Sequence, residues 1–517
     1  MNIGIYPLAT RTQVTNSQKV HQHLRLSGIA SILFGALLAV GACNEGATAG
    51  SICAEHNDCA NDLQCLADVC VARCTENTQC GDGYHCTTSG TCEEVVSKLG
   101  DSCVSEWECG INQGCQLNLV ASSSERLGGT CQVQGQGLNI GSECGLDDDC
   151  RSGLCAIGRC SQLCSSNADC SDRTDCTDLP RKTTEGPALF RGCLQNYGVL
   201  KHTIPVGSPS EQILVPVPAS ARSFALVTSA DDDLHTIGAT RVESPSGELL
   251  YSEGLEAEPI RYFRQKQVST LLVPNRDTLE LETGYYKIDI KSTLGQVGAG
   301  TVTPEVSVYY KLDDRRLLDL HFYFLDLEDH PCKENIGGKT LNALSAPGLN
   351  TFKNEYLGEI RAILGGGNLT IGNVRYTDLQ RADLDGIVGD NLPSLLRLAD
   401  NESGIAIFFV RSLSPDGVQA QIGGVPGPPR TPGTVGSGIA ISADTLCYRS
   451  WQTLARVTSH SIAGQMGLWN NRDPQGIKDP ISDSDSLSDN LMFFSEFGGR
   501  ELSEGQKKIL GLYPGLR

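Results

Sequence analysis

The distribution of cysteine constrains this chain more than any other feature of its sequence. Twenty of its 23 cysteines lie between positions 53 and 193, in five consecutive groups of four. Neighbouring cysteines within a group are mostly separated by four or five residues. Each group is too short and too poor in large apolar side chains to bury a hydrophobic core, so disulfides must supply its order. We therefore predict an array of small disulfide-rich repeats over residues 43–195.

The three remaining cysteines set the parity of the pairing. Cys43 stands before the array, and Cys332 and Cys447 stand after it. Without Cys43, the array and the later pair both hold an even number of thiols, as complete disulfide pairing requires. Such density is typical of an oxidising compartment outside the cytoplasm. The spacing leaves the connectivity within each group open, and gaps of four or five differ from the Cys-x2-Cys knuckles of a zinc cluster.

Two stretches resemble parts of bacterial lipoproteins. The phrase SECGLDDDCRSGLCAIGRC, at 142–160, is similar to Dickkopf-N-terminal-like and related cysteine-rich repeats of such proteins. The apolar run SGIASILFGALLAVGA, at 27–42, has the length of a signal-peptide core rather than a membrane span. It ends at Cys43 in LLAVGAC, which resembles a lipobox, and Asn44 is similar to the residue that follows the lipid-bearing cysteine of outer-membrane lipoproteins.

The lipoprotein resemblance implies a location and an anchor. Residues 1–42 would be a signal peptide, and lipid on Cys43 would hold the chain at the outer membrane, facing the periplasm or the cell surface. The alternative is an ordinary cleaved signal, with Cys43 as one more disulfide partner. In either case the chain leaves the cytoplasm.

The charge of the chain narrows its partners. Its formal net charge is −20, and no basic tract follows the first few dozen residues. Because nucleic-acid binding needs clustered cations, we expect no nucleic-acid partner. Attraction to anionic headgroups is not expected either, so contact with a membrane would depend on the lipid anchor.

Residues 196–312 contain no cysteine and change to a period of two. Short runs such as QILVPVPA, RSFALVTSA and YYKIDIKST are rich in strand-forming residues, and turn residues separate them. We predict an antiparallel β-sandwich, which is similar to the accessory sandwich domains of secreted peptidases. His202, His235 and the acidic segment 230–233 form either a metal loop or, more simply, a solvated turn.

Residues 313–517 alternate between strand and helix patterns, which predicts a mixed α/β domain. The predicted strands are LLDLHFYFLDL, LTIGNVRYTDL and GIAIFFVRSL. Apolar residues at helical spacing predict helices in TFKNEYLGEIRAILGGGN, at 351–368, and in LCYRSWQTLARVTSHSIAGQMGL, at 446–468.

The second of these helices contains a specific motif. Its end, TSHSIAGQMGLWNN, resembles the HExxHxxGxxH zinc-binding helix of metzincin endopeptidases, particularly the pappalysin-like branch. In that alignment His460 matches the first zinc ligand and Gly467 matches the glycine of the turn. Ser461 stands in place of the catalytic glutamate, Gly464 in place of the second histidine, and Asn470 in place of the third.

Flanking segments support the resemblance. DNLMFF resembles the methionine turn beneath the zinc, with Met492 as its methionine. LSEGQKKILGLYP is similar to the C-terminal helix of the family, and GSGIAIS, at 436–442, resembles its edge strand. The resemblance implies a metzincin-like frame over the C-terminal domain, in which most zinc ligands are replaced.

The replaced residues argue against catalysis. A catalytic zinc needs three protein donors besides water, and one imidazole does not provide them. An unassisted hydroxyl at Ser461 is a poor general base, and loss of such a base costs about 100- to 10,000-fold in rate. Ser461 and His460 cannot form a serine-hydrolase pair either, because adjacent helical residues project about 100° apart.

Two other groups of ligands need consideration. Cys332 and Cys447 could join His460 as thiolates, although a disulfide between them is the simpler prediction. Four carboxylates lie in the acidic loop and are either a calcium site or, more simply, a solvated loop, because the EF-hand spacing is absent. They are Asp479, Asp483, Asp485 and Asp489.

The leading hypothesis is therefore a membrane-anchored extracytoplasmic lipoprotein that acts as a binding protein for an unknown protein or peptide. Its metzincin-like domain would be catalytically inactive and need no cofactor, and an extended peptide would lie beside GSGIAIS. One alternative is an active zinc endopeptidase with unusual ligands. Another is a purely structural envelope protein.

Overall fold

The computed structural model describes residues 51–517, apart from short internal segments. The segments left out are 61–62, 67, 81–83, 88–89, 120–125, 255–259, 296–297, 326, 329, 337–339, 388–390, 415–416, 473–477 and 485–487. The predicted signal peptide at 1–42 and the predicted lipid-bearing Cys43 lie outside the described residues.

Each repeat of the cysteine array has a single-turn 3-10 helix followed by an antiparallel hairpin. The 3-10 helices are His56–Asp58, Asn77–Gln79, Glu106–Glu108, Asp147–Asp149 and Asn167–Asp169. The strands are β1 (Leu63–Leu66), β2 (Val69–Ala72), β3 (Tyr84–Cys86), β4 (Cys92–Glu94), β5 (Ser102–Cys103), β6 (Gln113–Leu117), β7 (Gly129–Val133), β8 (Cys155–Ala156), β9 (Arg159–Cys160), β10 (Thr174–Thr183) and β11 (Gly186–Gln195).

One pattern of disulfides recurs in all five repeats, in which the first cysteine bonds the third and the second bonds the fourth. The pairs are Cys53–Cys65, Cys59–Cys70, Cys74–Cys86, Cys80–Cys92, Cys103–Cys115, Cys109–Cys131, Cys144–Cys155, Cys150–Cys160, Cys164–Cys176 and Cys170–Cys193. The third and fourth cysteines face each other across the hairpin. The first disulfide therefore joins the segment before the 3-10 helix to the first strand of the hairpin. The second disulfide joins the end of the 3-10 helix to the second strand. The predicted disulfide-rich array is confirmed.

Residues that follow the array form two antiparallel sheets. Their strands are β12 (Val199–Ile204), β13 (Ser210–Val217), β14 (Ser223–Ser229), β15 (His235–Glu243), β16 (Leu249–Ser252), β17 (Gln265–Lys266), β18 (Val268–Val273), β19 (Gly284–Leu294), β20 (Gly298–Ala299) and β21 (Glu305–Lys311). One sheet has the order β12-β21-β14-β18, and the other has β13-β19-β15-β16 with β17 beside β15 and β20 beside β19. Side chains of both sheets, such as Phe224 and Ile288, share one buried core. The antiparallel sheets predicted here are confirmed.

The C-terminal part contains a five-stranded sheet with helices on both faces. The strands of this part are β22 (Leu317–Leu325), β23 (Thr370–Leu379), β24 (Gly386–Ile387), β25 (Ile405–Val410), β26 (Ser412–Leu413), β27 (Ala420–Ile422) and β28 (Ile439–Ser442). Strands β24 and β26 pair with each other and are not part of the five-stranded sheet. Its α-helices are α1 (Leu357–Gly366), α2 (Leu392–Leu396), α3 (Trp451–Gln465) and α4 (Glu504–Gly511). Shorter helical segments are Ala346–Gly348, Ala382–Leu384 and Ala443–Cys447, all 3-10, and Thr351–Tyr356, which is π-helical.

The order of the strands determines which helices pack on each face of the five-stranded sheet, including α3, which contains the predicted zinc-binding motif. The sheet runs β23-β22-β25-β28-β27, in which β27 alone is antiparallel to its neighbour. Alternate residues of β22 point to opposite faces, as the period of a strand requires. Phe322 packs in the cluster that contains α1 and α3, whereas Tyr323 packs with α2.

The position of GSGIAIS differs from the prediction. Its strand β28 pairs with β25 on one side and β27 on the other, so it is an interior strand. The sheet edge is β27, with the sequence AQI, which is too short and too polar to show a strand periodicity. A peptide added to this side of the sheet would therefore have to lie along β27.

No helix among the described residues is both long and apolar enough to span a membrane. The sheet β12-β21-β14-β18 also contacts the C-terminal part directly. Ala225 and Leu272 belong to its core cluster, and the Tyr309 hydroxyl lies 2.9 Å from Thr431 Oγ1.

Candidate functional site

Helix α3 begins and ends on local sequence signals. Ser450 caps its start, because the side-chain oxygen accepts a hydrogen bond from the Thr453 N–H at 3.2 Å. Its end has the paired bonds of a Schellman motif, from Gly467 N–H to Gly464 O and from Leu468 N–H to Ala463 O. Gly467 adopts a φ of 110°, and a Cβ there would lie 2.9 Å from Leu272 Cδ2. Glycine is therefore required at this turn.

The side chain of His460 lies where three segments meet. Its Nδ1 is 2.9 Å from the Leu491 carbonyl oxygen, next to the buried Met492. Because a carbonyl oxygen only accepts, Nδ1 carries the proton and the neutral ring has its lone pair on Nε2. The Asn470 side chain hydrogen-bonds the same imidazole. The structure thus brings together the first and third ligand positions of the predicted motif, above the segment that contains Met492.

Burial and charge keep the His460 ring neutral. Desolvation is the main cause that lowers the pKa of His460, to about 4, and the positive charge of Arg456 lowers it further. Hydrogen bonds to Leu491 and Asn470 act in the opposite direction. An imidazolium, or any other cation in the same place, is therefore disfavoured at neutral pH.

The other two motif positions on α3 have different neighbours. The Ser461 hydroxyl donates to the Val457 carbonyl at 3.0 Å, one turn back along the helix, and the residue is buried. A Cβ placed on Gly464 would lie 2.9 Å from Ile422 Cδ1, on the edge strand β27. Ile422 therefore occupies the space into which a second histidine would project.

A buried arginine holds the segment below His460. The Arg456 guanidinium donates to the carbonyl oxygens of Leu491, Phe493, Ser495 and Gly499 at 2.7 to 3.1 Å. Burial lowers the pKa of Arg456 to about 10, and no carboxylate among the described residues pairs with it. The group nevertheless stays charged at neutral pH, one helical turn from His460.

The residues present do not fit a zinc ion. His460 offers one nitrogen, Gly464 offers no donor, and Asn470 offers only a neutral amide whose hydrogen bond to His460 is already made. The unpaired charge of Arg456 adds repulsion for a divalent cation. A catalytic zinc needs a denser and more anionic set of ligands than this.

The structure pairs Cys332 with Cys447 in a disulfide, with the two Cα atoms 5.2 Å apart. The bond joins the segment after β22 to the 3-10 helix before α3. A cysteine in a disulfide has no thiolate, so neither residue can serve as a third ligand beside His460 in this state.

Within the acidic loop, Asp479 is buried and belongs to a network of polar side chains. Asp479 Oδ2 accepts from Gln506 Nε2 at 3.5 Å, and Gln506 also joins Asn490 and Ser484. The prediction of a solvated loop is wrong for this residue, because the C-terminal helix α4 covers it.

The other acids of the loop do not gather around Asp479. The Asp483 carboxylate accepts from the Gly505 N–H at the start of α4, at 3.0 Å for one oxygen. Asp489 is exposed, and its carbonyl accepts from the Glu501 N–H. Asp485 lies outside the described residues. The described members therefore do not form a calcium-binding set.

The two earlier histidines lie away from His460. His235 Nδ1 is 2.7 Å from Asp232 Oδ1, and His235 Nε2 accepts from the Thr301 N–H at 3.3 Å. This bond arrangement stabilises the turn within 230–233 rather than binding a metal. His202 packs against Gly158 of the cysteine array.

Arg456 and Ile422 were not among the residues that the sequence predicted for this site. Arg456 precedes His460 by one turn, and its burial had no signal in the sequence, because its neighbours on the same face of the helix, such as Thr453 and Ser459, are polar as well. Ile422 had none, because its proximity to Gly464 arises from a strand that the sequence did not reveal.

Comparison with models of known protein families gives no match, and comparison with curated proteins gives none either.

The buried Asp479 makes stability depend on pH. Desolvation raises its pKa from 3.8 to about 7, so between these values the folded chain holds a proton that the unfolded chain releases. The stabilising effect of this proton is complete below about pH 4 and is lost as the pH rises to about 7. Asp479→Asn should therefore raise the free energy of unfolding at pH 8 by on the order of a few kcal/mol, with little change at pH 4.

Urea unfolding of the wild type and the variant at pH 4, 6 and 8 measures this effect. Asp489→Asn is the control, because the exposed side chain should change stability by less than about 0.5 kcal/mol at each pH. An equal gain for Asp479→Asn at pH 4 and pH 8 would contradict the assignment.

Proposed function

We propose that this chain is a lipid-anchored extracytoplasmic binding protein whose C-terminal domain keeps a metzincin-like frame without peptidase activity. Lipid on Cys43 would attach it to the outer membrane, and the disulfide-rich array would serve as a stiff spacer. The antiparallel sheets and the C-terminal domain would then face the periplasm or the cell surface.

One observation carries the proposal of inactivity. At each motif position where the zinc ligand or the catalytic glutamate is replaced, the residue present makes a different local contact. Ser461 bonds back to its own helix, Ile422 fills the space beside Gly464, and Asn470 bonds His460. Restoring a zinc site would require changes at all of these positions. A single substitution would therefore not restore peptidase activity.

The proposal of a metzincin-like frame is supported by the arrangement around α3. The sheet has parallel strands and one antiparallel edge strand beside this helix. Gly467 ends the helix in a sharp turn, and the chain then returns so that the Asn471 N–H donates to the Met492 carbonyl at 3.0 Å. His460 donates to a backbone carbonyl through Nδ1, which is how many metal-binding histidines are oriented.

The proposed ligand is an extended peptide that adds to the sheet at β27. Strand β27 ends the sheet order, and its three residues are half-buried. Main-chain hydrogen bonds to such an edge give affinity without any catalytic residue. An active zinc endopeptidase remains the second candidate and would need zinc as cofactor. A structural envelope protein is the third and would need no ligand.

A rebuilt motif tests whether the frame can hold zinc. Ser461→Glu, Gly464→His and Asn470→His together restore the family pattern, and Ile422→Ala makes room for the new imidazole. We expect the combined variant to bind about one zinc per chain, since three imidazoles are a sufficient donor set. Metal analysis after dialysis measures the zinc content.

The matched control carries the same changes except Gly464→His, and it should retain much less zinc. Wild-type protein should hold no stoichiometric zinc and should not cleave casein. Zinc in the wild type at about one per chain, with cleavage that a chelator stops, would favour the active endopeptidase.

The lipid anchor predicts a change of fractionation. Cys43→Ser removes the thiol that would carry the diacylglycerol, so the variant should move from the membrane pellet to the soluble fraction. Mass spectrometry of the N-terminal peptide provides an independent measurement. Wild-type protein in the soluble fraction, with an unmodified cysteine, would refute the anchor and favour the ordinary signal peptide.

Binding at β27 is tested with a matched pair of edge substitutions. Gln421→Lys on β27 places a charge at the proposed edge, which disfavours addition of a strand. Thr370→Lys makes the same change on β23, at the opposite edge. Envelope peptides should be captured by the wild type and by Thr370→Lys, but not by Gln421→Lys. Equal capture by both variants, or by none of the three proteins, would instead support the structural candidate.

A further inference from the structure

A concave site lies within the cysteine array, and no residue of α3 lines it. It is a cleft of about 270 Å³ among the third, fourth and fifth repeats. We propose that this cleft binds a neutral saccharide. The proposal does not depend on the fate of the zinc motif, because no residue of the C-terminal domain contributes to the cleft.

The aromatic side of the cleft is Trp107. Its backbone lies in the 3-10 helix of the third repeat, where the Ser105 side chain accepts from the Trp107 N–H at 3.2 Å. Its indole Nε1–H donates to the Asp169 carbonyl of the fifth repeat at 2.9 Å. This bond fixes the ring, which is half-buried. A fixed indole offers a flat apolar surface with its polar end already paired, which suits stacking against the C–H face of a pyranose ring.

The polar side of the cleft is rich in primary amides. Gln113, Gln134, Asn139 and Gln162 line it. Each primary amide offers both an acceptor and donors, and sugar hydroxyls likewise donate and accept. A cluster of such groups around an aromatic ring therefore matches a ligand that carries many hydroxyls.

One of these amides has an unused acceptor. Gln134 Nε2 donates to Glu106 Oε1 at 3.0 Å, which fixes the orientation of the amide. Its Oε1 is buried and has no hydrogen-bond partner among the described residues. A buried acceptor without a partner is costly, so a ligand hydroxyl that reached this oxygen would gain a full hydrogen bond. An entirely apolar ligand would leave the cost in place.

Charge selects a neutral ligand. The ionisable residues of the cleft are Glu106 and Arg151, whose charges have opposite sign. Glu106 is further engaged by the Cys115 N–H, which donates to its Oε2 at 3.0 Å. The lining thus has no net charge that would attract an anionic or a cationic ligand. Disulfides in all three repeats hold the lining residues in place before a ligand binds, which lowers the entropic cost of binding.

Binding of defined trisaccharides to the purified full chain tests the proposal. The neutral probes are cellotriose, maltotriose and chitotriose, and the anionic probe is trigalacturonate. We expect saturation-transfer NMR to detect at least one neutral probe, with the strongest transfer to pyranose C–H protons, and calorimetry to give its Kd. Trp107→Ala and Gln134→Leu should each raise that Kd by about tenfold or more.

Gln132→Leu is the matched control. Gln132 lies on β7, two residues before Gln134, but its side chain is exposed and does not line the cleft. Its Kd should equal that of the wild type. Counting disulfides by mass spectrometry checks folding, and Gln134→Leu keeps the test decisive if Trp107→Ala misfolds. Failure of all three neutral probes to bind, tighter binding of trigalacturonate, or an unchanged Kd in Gln134→Leu would overturn the proposal.

Discussion

The buried charge of Arg456 organises the C-terminal domain. Its guanidinium binds four backbone carbonyls of the segment that follows the acidic loop, and so fixes Met492 beneath α3. A buried carbonyl that is left without a donor costs roughly 1 to 3 kcal/mol, so these bonds stabilise the segment in this position. The Leu491 carbonyl also accepts from His460, so the position of the imidazole depends on the same interaction.

This interaction has a consequence for function. No carboxylate among the described residues pairs with Arg456, so its positive charge acts on the neighbouring His460, one helical turn away. The field disfavours an imidazolium, and it adds repulsion to a metal ion that only one imidazole would hold. With one imidazole as the available ligand on this helix, too few donors are present to offset that repulsion. This is consistent with the proposal that the domain binds a ligand without hydrolysing it.

The array and the C-terminal domain solve the problem of stability in different ways. The third to fifth repeats add apolar side chains such as Leu154 and Phe190 to the core of the antiparallel sheets, and crossed disulfides fix each hairpin to a single helical turn. The C-terminal domain buries helices on both faces of a sheet and needs only Cys332–Cys447 as a covalent link. The disulfides therefore make the surface of the array rigid. A polar side chain there, such as Gln134, keeps a fixed orientation in which its Oε1 has no hydrogen-bond partner among the described residues.

Much of the local structure follows from the sequence. The spacing of cysteines predicted the repeats, period-two patterns predicted the antiparallel sheets, and apolar spacing predicted α3 to within a few residues. The helix at 351–368 was predicted as one element, but it begins with the π-helical turn Thr351–Tyr356 before α1. Strand β27 was missed, since three residues of mixed polarity carry no periodic signal.

The sequence by itself determined which chemical groups the candidate site contains: one histidine, a serine, a glycine and an amide where a zinc peptidase has three histidines and a glutamate. Only the tertiary structure decided what those groups touch. Disulfide connectivity, the burial of Asp479, the proximity of Ile422 to Gly464 and the field of Arg456 all arise between segments far apart in the chain. The spacing of residues along a chain fixes local geometry, whereas contacts across it depend on how the elements pack.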